Sequence, residues 1–150
     1  MDTKTKKESI EFFSSEGDNL KKIHIYEGGV SAGFPSPADD YLDMDLNLHK
    51  YLVRHPAATF FIIAKGHSME KAGISDEDLL VVDKSLEAKS NDIVVAALNG
   101  EFTVKRYIVS NGKVCLRAET ELEQYSDIDI TDETDFEVWG VVTHTIHRNR

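Results

Sequence analysis

The sequence contains little of several features that define whole classes of protein. A single cysteine, Cys115, excludes an intramolecular disulfide and suits a reducing compartment. The longest apolar runs are a handful of residues, whereas a membrane-spanning helix needs about 20. No apolar signal region follows the basic residues near the N-terminus. We therefore expect a cytoplasmic protein that does not span a membrane.

Basic residues are also scarce. The 150 residues include 17 Lys and Arg against 27 Asp and Glu, so the formal net charge is −10. No stripe of Lys or Arg is visible along the chain, although a protein that grips phosphate backbones needs a cationic surface. The composition therefore argues against DNA binding as the main role and favours a protein partner.

Recognised patterns for metals, phosphates and reactive thiols are missing too. Six histidines occur without carboxylates in a ligand spacing: His24, His49, His55, His67, His144 and His147. The glycines at 28, 29 and 33 do not fit a phosphate loop that opens a helix. Cys115 has no C-x-x-C partner, which favours a buried structural thiol. We expect no metal and no cofactor.

What the sequence does contain is a succession of short β patterns. Apolar or alternating runs predict strands at 59–64, 79–83, 92–98, 101–109, 114–117 and 136–143, with a short alternation at 128–130. Asn99-Gly100 is a strong hairpin signal, because both turn residues need positive φ. One short helix is predicted from Asn47 to His55, with Asp45 or Asn47 as its N-cap and Pro56 after it. The body is thus predicted to be mostly β with one short helix.

Residues 1–40 differ from the rest of the chain. Charged residues of both signs are mixed there and apolar residues are sparse, apart from the alternation Ile23–Tyr26, which could form an edge strand. Glycines and two prolines then favour an extended connector. We predict an extended, mobile N-terminal arm over 1–40, too short for a helix-turn-helix, and a body over 41–150.

Ser68 directly follows a predicted buried strand and stands two residues after Gly66. A turn is the ordinary interpretation, since Gly and Ser dominate turns. A nucleophile is the alternative, because the serine hydroxyl and the nearby backbone N–H groups would face solvent. Ser68 and Lys71 also match S-x-x-K, but the accompanying S-D-N and K-T-G motifs are absent from the sequence.

Lys105 lies on the strand that follows the Asn99-Gly100 turn. A lysine on a strand is usually solvated or blocks an edge. Apolar neighbours would instead desolvate it and lower its pKa, so that the neutral amine could serve as a base. A serine with a neutral lysine is a complete pair of nucleophile and base.

Four motifs in order resemble those of the UmuD/LexA family of self-cleaving serine–lysine peptidases. They are AGFPSPA at 32–38, GHSM at 66–69, GISDEDLLVVD at 73–83 and GEFTVKR at 100–106. The resemblance implies a LexA/signal-peptidase-like β-sheet body. It also implies Ser68 as nucleophile, Lys105 as general base and self-cleavage between Ala32 and Gly33.

The same resemblance implies a role in the SOS response. A RecA filament on single-stranded DNA would stimulate cleavage. The processed chain would form a homodimer and join a UmuC-type subunit of an error-prone translesion DNA polymerase.

Two departures from the family pattern matter. His67 stands where UmuD-type proteins typically carry Asp, and the arm before Ala32 matches nothing recognisable. The first leaves the Ser68 assignment intact, because that position varies in the wider group. The alternatives are a dimeric interaction module that does not cleave itself and a LexA-like regulator without its own DNA-binding domain. Because the arm is too short for such a domain, direct sequence-specific DNA binding is not expected.

Overall fold

A computed structural model of the chain describes residues 13–14, 23–26, 32 and 43–150. The strands are β1 (Phe13–Ser14), β2 (Ile23–Tyr26), β3 (Asp43–Leu46), β4 (Thr59–Ile63), β5 (Leu79–Asp83), β6 (Ile93–Leu98), β7 (Glu101–Ser110), β8 (Lys113–Arg117), β9 (Ile128–Asp129) and β10 (Phe136–Ile146). The helices are α1 (Leu48–Leu52) and two 3₁₀ turns, Pro56–Ala58 and Glu70–Ala72. None of the helices in these ranges is long and apolar enough to cross a membrane.

Eight of the strands form one sheet in the order β1-β4-β5-β10-β6-β7-β8-β9. Every neighbouring pair in it is antiparallel. The predicted mostly β fold with one short helix is therefore confirmed. The short chain connections and period-2 side-chain patterns of antiparallel strands are what made this class readable from the sequence.

The N-terminal region gives a mixed result. Ile23–Tyr26 forms the predicted strand, and it pairs with Asp43–Leu46, for which no element was predicted. Most of the predicted arm, including Gly33, lies outside the described residues, so its extended and mobile character stays a prediction.

Helix α1 is shorter than predicted. Asn47 caps it as expected, accepting a hydrogen bond from the Lys50 N–H at 3.0 Å. The helix ends at Leu52 rather than His55, because the backbone is extended at Val53 and is not helical at His55 either. Pro56 disfavours the helical region for His55. The His55 ring also contacts the Asp83 carboxylate at 2.6 Å.

The predicted Asn99-Gly100 turn has the required backbone, and a second Asn-Gly turn, Asn111-Gly112, has the same form. Asn99 and Gly100 have φ values of 48° and 81°, and Asn111 and Gly112 have values of 52° and 72°. These turns join β6 to β7 and β7 to β8. They fix the register of β7, the strand that carries Lys105.

The core explains why the Ser68 segment, defined here as residues 64–78, is well anchored. Side chains from the central strands, among them Ile62, Leu80 and Val95, are almost fully buried. Met69 and Ile74 of the segment join the same cluster. Burying such side chains contributes about 1.5–3 kcal/mol each, so the segment is part of the core rather than a loose loop.

Gly140 provides a test of this packing, because it lies where the pairing of β10 with β6 shifts register. A Cβ at this position would be 2.7 Å from Val82 Cγ1 and 3.0 Å from the Asp83 carbonyl oxygen. We expect Gly140→Ala to lower the free energy of unfolding by about 1–3 kcal/mol through overpacking. Urea denaturation measures it. The control Glu137→Ala, an exposed site on the same strand, should change stability by less than about 0.5 kcal/mol; equal effects would contradict the argument.

Candidate active site

Ser68 is held at the surface by its own neighbours. The chain leaves β4 and turns at Gly66, whose φ of 91° suits glycine. The Gly66 N–H donates to the Asp76 carboxylate at 2.7 Å. Met69, directly after the serine, is only 3% exposed. The buried methionine therefore fixes where the hydroxyl of the half-buried Ser68 lies.

The far end of the Ser68 segment is closed by Asp78. Its backbone carbonyl accepts from the Ala64 N–H at 2.8 Å. Its carboxylate accepts from the Ser75 N–H at 2.8 Å and contacts the His147 ring at 2.6 Å. Because Asp78 is only 2% exposed, these contacts satisfy a buried charge and join the two ends of the segment.

Lys105, on strand β7, contacts Ser68 through its amine. Its Nζ lies 3.0 Å from Ser68 Oγ, 2.8 Å from Thr103 Oγ1 and 3.1 Å from the Val104 carbonyl oxygen. The lysine is only 7% exposed. Burial lowers its pKa from the ordinary value of 10.5, because desolvation penalises the ammonium form.

The three contacts suit both protonation states of Lys105, because an ammonium can donate to all three oxygens and a neutral amine can donate to two of them and accept from the third. A neutral amine has two N–H donors and one lone pair. The Val104 carbonyl can only accept, so it takes one N–H, and the Thr103 hydroxyl can accept the other. The lone pair is then available to accept the hydroxyl proton of Ser68. The arrangement can remove a proton from the serine without any further group.

A cavity of about 260 Å³ opens over this pair. Its walls come from the end of β4, the Ser68 segment and the first half of β7, and Tyr125 contributes from the loop before β9. Ala32, predicted at the cleavage site, is an exposed residue in a bend, and its predicted partner Gly33 is not described. Lys65, His67, Thr103 and Tyr125 also line the cavity, among apolar side chains such as Ile62 and Phe102. An open cavity of mixed polarity is suited to an extended peptide, which presents both backbone polar groups and side chains.

Comparison with known proteins is consistent with this geometry. Residues 24–143 match the Peptidase S24-like family model. The chain belongs to this family. Protein MucA from Salmonella typhimurium is 44% identical over 138 residues, covering 91% of this chain and 93% of that protein.

More distant members agree with this assignment. Protein ImpA from Salmonella typhimurium is 42% identical over 142 residues, covering 89% and 90% of the two chains. The LexA repressor of Histophilus somni is 34% identical over 126 residues, covering 81% of this chain and 58% of the repressor. The predicted membership of the UmuD/LexA group is confirmed.

Three further residues discussed in the sequence analysis are Lys71, His67 and Cys115, and their surroundings are as follows. Lys71 of the S-x-x-K match pairs with Glu121 at 2.7 Å. His67 contacts the Glu70 carboxylate at 2.5 Å. Cys115 is half-buried on β8, and burial raises the pKa of its thiol, which favours the protonated, unreactive form.

Two residues beside Ser68 and Lys105 were not assigned from the sequence, namely Thr103 and Glu119. Thr103 could have been found, since residues two apart on a strand share a face and Thr103 therefore lies beside Lys105. Glu119 could not. Its backbone N–H donates to the Ser68 carbonyl at 2.8 Å, although 51 positions separate the two residues. No local pattern indicates a contact of this kind.

The burial of Lys105 predicts a measurable cost in stability. Its folded pKa is lowered, so the unfolded chain binds more protons, and stability rises with pH toward 10.5. Replacing it with Met removes this cost. We expect Lys105→Met to be more stable at pH 7 by about 1 kcal/mol, and the gain to shrink between pH 7 and pH 10.

Chemical denaturation at several pH values checks this expectation. The matched control is Lys113→Met, which changes an exposed lysine on the neighbouring strand β8 and should give no such pH-dependent gain. A Lys105→Met variant that is less stable at pH 7, or whose advantage grows with pH, would contradict the desolvation argument.

Proposed function

We propose that this protein is a self-cleaving serine endopeptidase in which Ser68 is the nucleophile and Lys105 the general base. The observation that carries the proposal is the 3.0 Å contact between Lys105 Nζ and Ser68 Oγ, made by a lysine that is only 7% exposed. Burial lowers the Lys105 pKa and so favours the neutral amine, and the contact supplies the path for the proton. Membership of the Peptidase S24-like family supports the same assignment.

In the first step, Ser68 Oγ attacks the carbonyl carbon of Ala32 while Lys105 takes the hydroxyl proton. The tetrahedral intermediate carries a negative oxygen, and we assign the Ser68 backbone N–H as a donor to it. When the intermediate collapses, the bond from Ala32 to Gly33 breaks. The Lys105 ammonium then returns the proton to the leaving nitrogen of Gly33.

In the second step, water hydrolyses the ester that joins Ala32 to Ser68. Lys105, neutral again, accepts a proton from the attacking water, and Ser68 leaves with that proton. The products are residues 1–32 with a new carboxylate and residues 33–150 with a new amine. Glycine after the cut carries no side chain, which lets the backbone approach the serine closely.

In this proposal the substrate is part of the protein. Residues 1–40 form an arm and 41–150 the peptidase body, so the scissile bond is tethered to its own catalyst, in cis or within a homodimer. Tethering raises the effective concentration and replaces affinity for a free substrate. Cleavage is then limited by how often the arm adopts the reactive pose.

The proposal includes a biological setting, which the relatives support. We assign the protein to the cytoplasm and to the SOS response. A RecA filament on single-stranded DNA would stabilise the reactive arm pose and shift its population. The processed homodimer would join a UmuC-type subunit of an error-prone translesion polymerase. Similarity to MucA and ImpA supports this setting, and the net charge of −10 suits protein partners.

The proposal predicts slow self-cleavage of the pure protein at about pH 10, where a lysine is more often neutral. Intact-mass measurement should show loss of residues 1–32. Ser68→Ala and Lys105→Ala should abolish the loss, since each removes one half of the pair. The controls Ser110→Ala and Lys113→Ala, at exposed sites, should cleave at the normal rate.

An uncleaved chain at pH 10 and also with activated RecA would refute the peptidase. That outcome would favour the dimeric interaction module. Cleavage at a bond other than that between Ala32 and Gly33 would refute the assigned site alone.

The pH dependence of the rate gives a separate test of the base. Only the neutral amine accepts a proton, so the rate should rise with pH and level off above the Lys105 pKa. Because burial lowers that pKa, the midpoint should lie below 10.5. The midpoint should persist in His67→Gln. A midpoint near 6.5, the ordinary value of histidine, that disappears in this variant would instead identify His67 as the base.

A further inference from the structure

Arg106, the residue after Lys105 on β7, makes a two-pronged ion pair. Its Nε donates to Glu119 Oε1 at 2.6 Å and its Nη2 donates to Glu119 Oε2 at 3.0 Å. The side chains are 24% and 26% exposed. A bidentate pair that is largely shielded from water is stronger and better defined in geometry than an ordinary surface ion pair.

Glu119 is in turn fastened to the Ser68 segment through its backbone. Its N–H donates to the Ser68 carbonyl at 2.8 Å, and its carbonyl accepts from the Lys71 N–H at 2.9 Å. One residue therefore contacts the serine through its main chain and the lysine-bearing strand through its side chain.

The sheet itself does not set the distance between serine and lysine. The Ser68 segment follows β4, whereas Lys105 lies on β7, and β5, β10 and β6 separate these strands in the sheet. Neighbouring strands lie about 4.8 Å apart. No ladder hydrogen bond joins β4 to β7, so the 3.0 Å contact between the two side chains depends on ties outside the ladder.

We propose that the Arg106–Glu119 ion pair is a positioning device that holds the Ser68 segment in register with β7, so that Ser68 Oγ stays within reach of Lys105 Nζ. The inference rests on the proposed function for its catalytic consequence. Neither residue touches the substrate or the reacting atoms. Both act through the backbone of Ser68 and through the strand that carries Lys105.

Two further observations support this role. The Arg106 Nη1 donates to the Asn91 carbonyl at 2.8 Å, so the guanidinium is held against the turn before β6 as well. The hydrogen bonds between the partners raise the Arg106 pKa and lower that of Glu119. The pair therefore remains ionised throughout the pH range in which a lysine base becomes neutral.

The chain also provides a matched control. Arg117 lies opposite Arg106 in the pairing of β7 with β8. It forms its own ion pair with Asp127 at 3.0 Å, and these side chains are 49% and 45% exposed. Neither partner has a hydrogen bond to the Ser68 segment among the contacts described. Arg117→Gln therefore removes a neighbouring positive charge that also acts on Glu119, while it leaves every hydrogen bond between Arg106, Glu119 and the Ser68 segment in place.

The test measures self-cleavage of the full chain at about pH 10 in Arg106→Gln, Glu119→Gln, the double variant and Arg117→Gln. The tie is the Arg106–Glu119 ion pair together with the backbone hydrogen bonds of Glu119 to Ser68 and Lys71. We expect each single substitution in the ion pair to slow cleavage about 10- to 100-fold, since a small misplacement of reacting groups has effects of this size. The double variant should be no slower than the slower single variant, because both remove one interaction. Arg117→Gln should cleave normally.

Two readouts separate positioning from general destabilisation. The midpoint of the pH–rate profile should be unchanged, because Lys105 keeps its buried surroundings. Hydrogen exchange at the Glu119 and Lys71 amides should accelerate in the tie variants and stay normal in Arg117→Gln. Thermal unfolding curves should show that all the variants are fully folded at the assay temperature.

The possible failures are distinguishable. If the parent chain cleaves and the tie variants cleave at the same rate, the positioning role is wrong and the peptidase stands. If the parent chain does not cleave, the proposed function is wrong, and amide exchange still decides the tie. Unchanged exchange at Glu119 and Lys71 in Arg106→Gln overturns the inference in either case.

Discussion

The desolvated lysine is the constraint on which the rest of this structure depends. Moving an ammonium group out of water is unfavourable, and here the cost is moderated by the hydroxyls of Ser68 and Thr103 and the carbonyl of Val104. The same desolvation lowers the Lys105 pKa and so favours the neutral amine, which is the form that the proposed reaction needs as its base. The buried lysine therefore lowers the stability of the fold while it supports the proposed reactivity, a trade-off that is common at functional sites.

The fold meets this constraint by making the surroundings rigid rather than by adding catalytic groups. Met69 anchors the Ser68 segment in the core, and Asp78 closes the segment at its far end. The Asn99-Gly100 turn sets the register of the strand with the lysine. Glu119 links the Ser68 segment, through its backbone, to strand β7, through its side chain. Packed elements of this kind have one preferred arrangement, which is what a contact of 3.0 Å requires.

The sequence predicted the parts of this arrangement that depend on neighbours along the chain. Strand β5 was predicted with its observed bounds, and the Asn99-Gly100 turn with its positive φ values. The end of helix α1 was predicted three residues too late, because the contact of His55 with Asp83 bridges 28 positions. Strand β3 was missed and Glu119 was not assigned, for the same reason. Their roles come from partners distant in sequence, which periodicity and turn chemistry do not report.

The geometry also indicates where control of the proposed reaction must act. Ser68 and Lys105 are already in contact, and the lysine is already buried, in the chain alone. An activator therefore has no catalytic pair left to assemble. What remains to be supplied is the scissile bond, and a tethered bond is limited by the population of its reactive pose. A stimulating partner that binds this pose more tightly than the others accelerates cleavage without touching the catalytic pair. In the proposed reaction, regulation through the arm leaves the buried lysine unchanged, and a protein that cuts its own chain in this way needs no affinity for a second substrate.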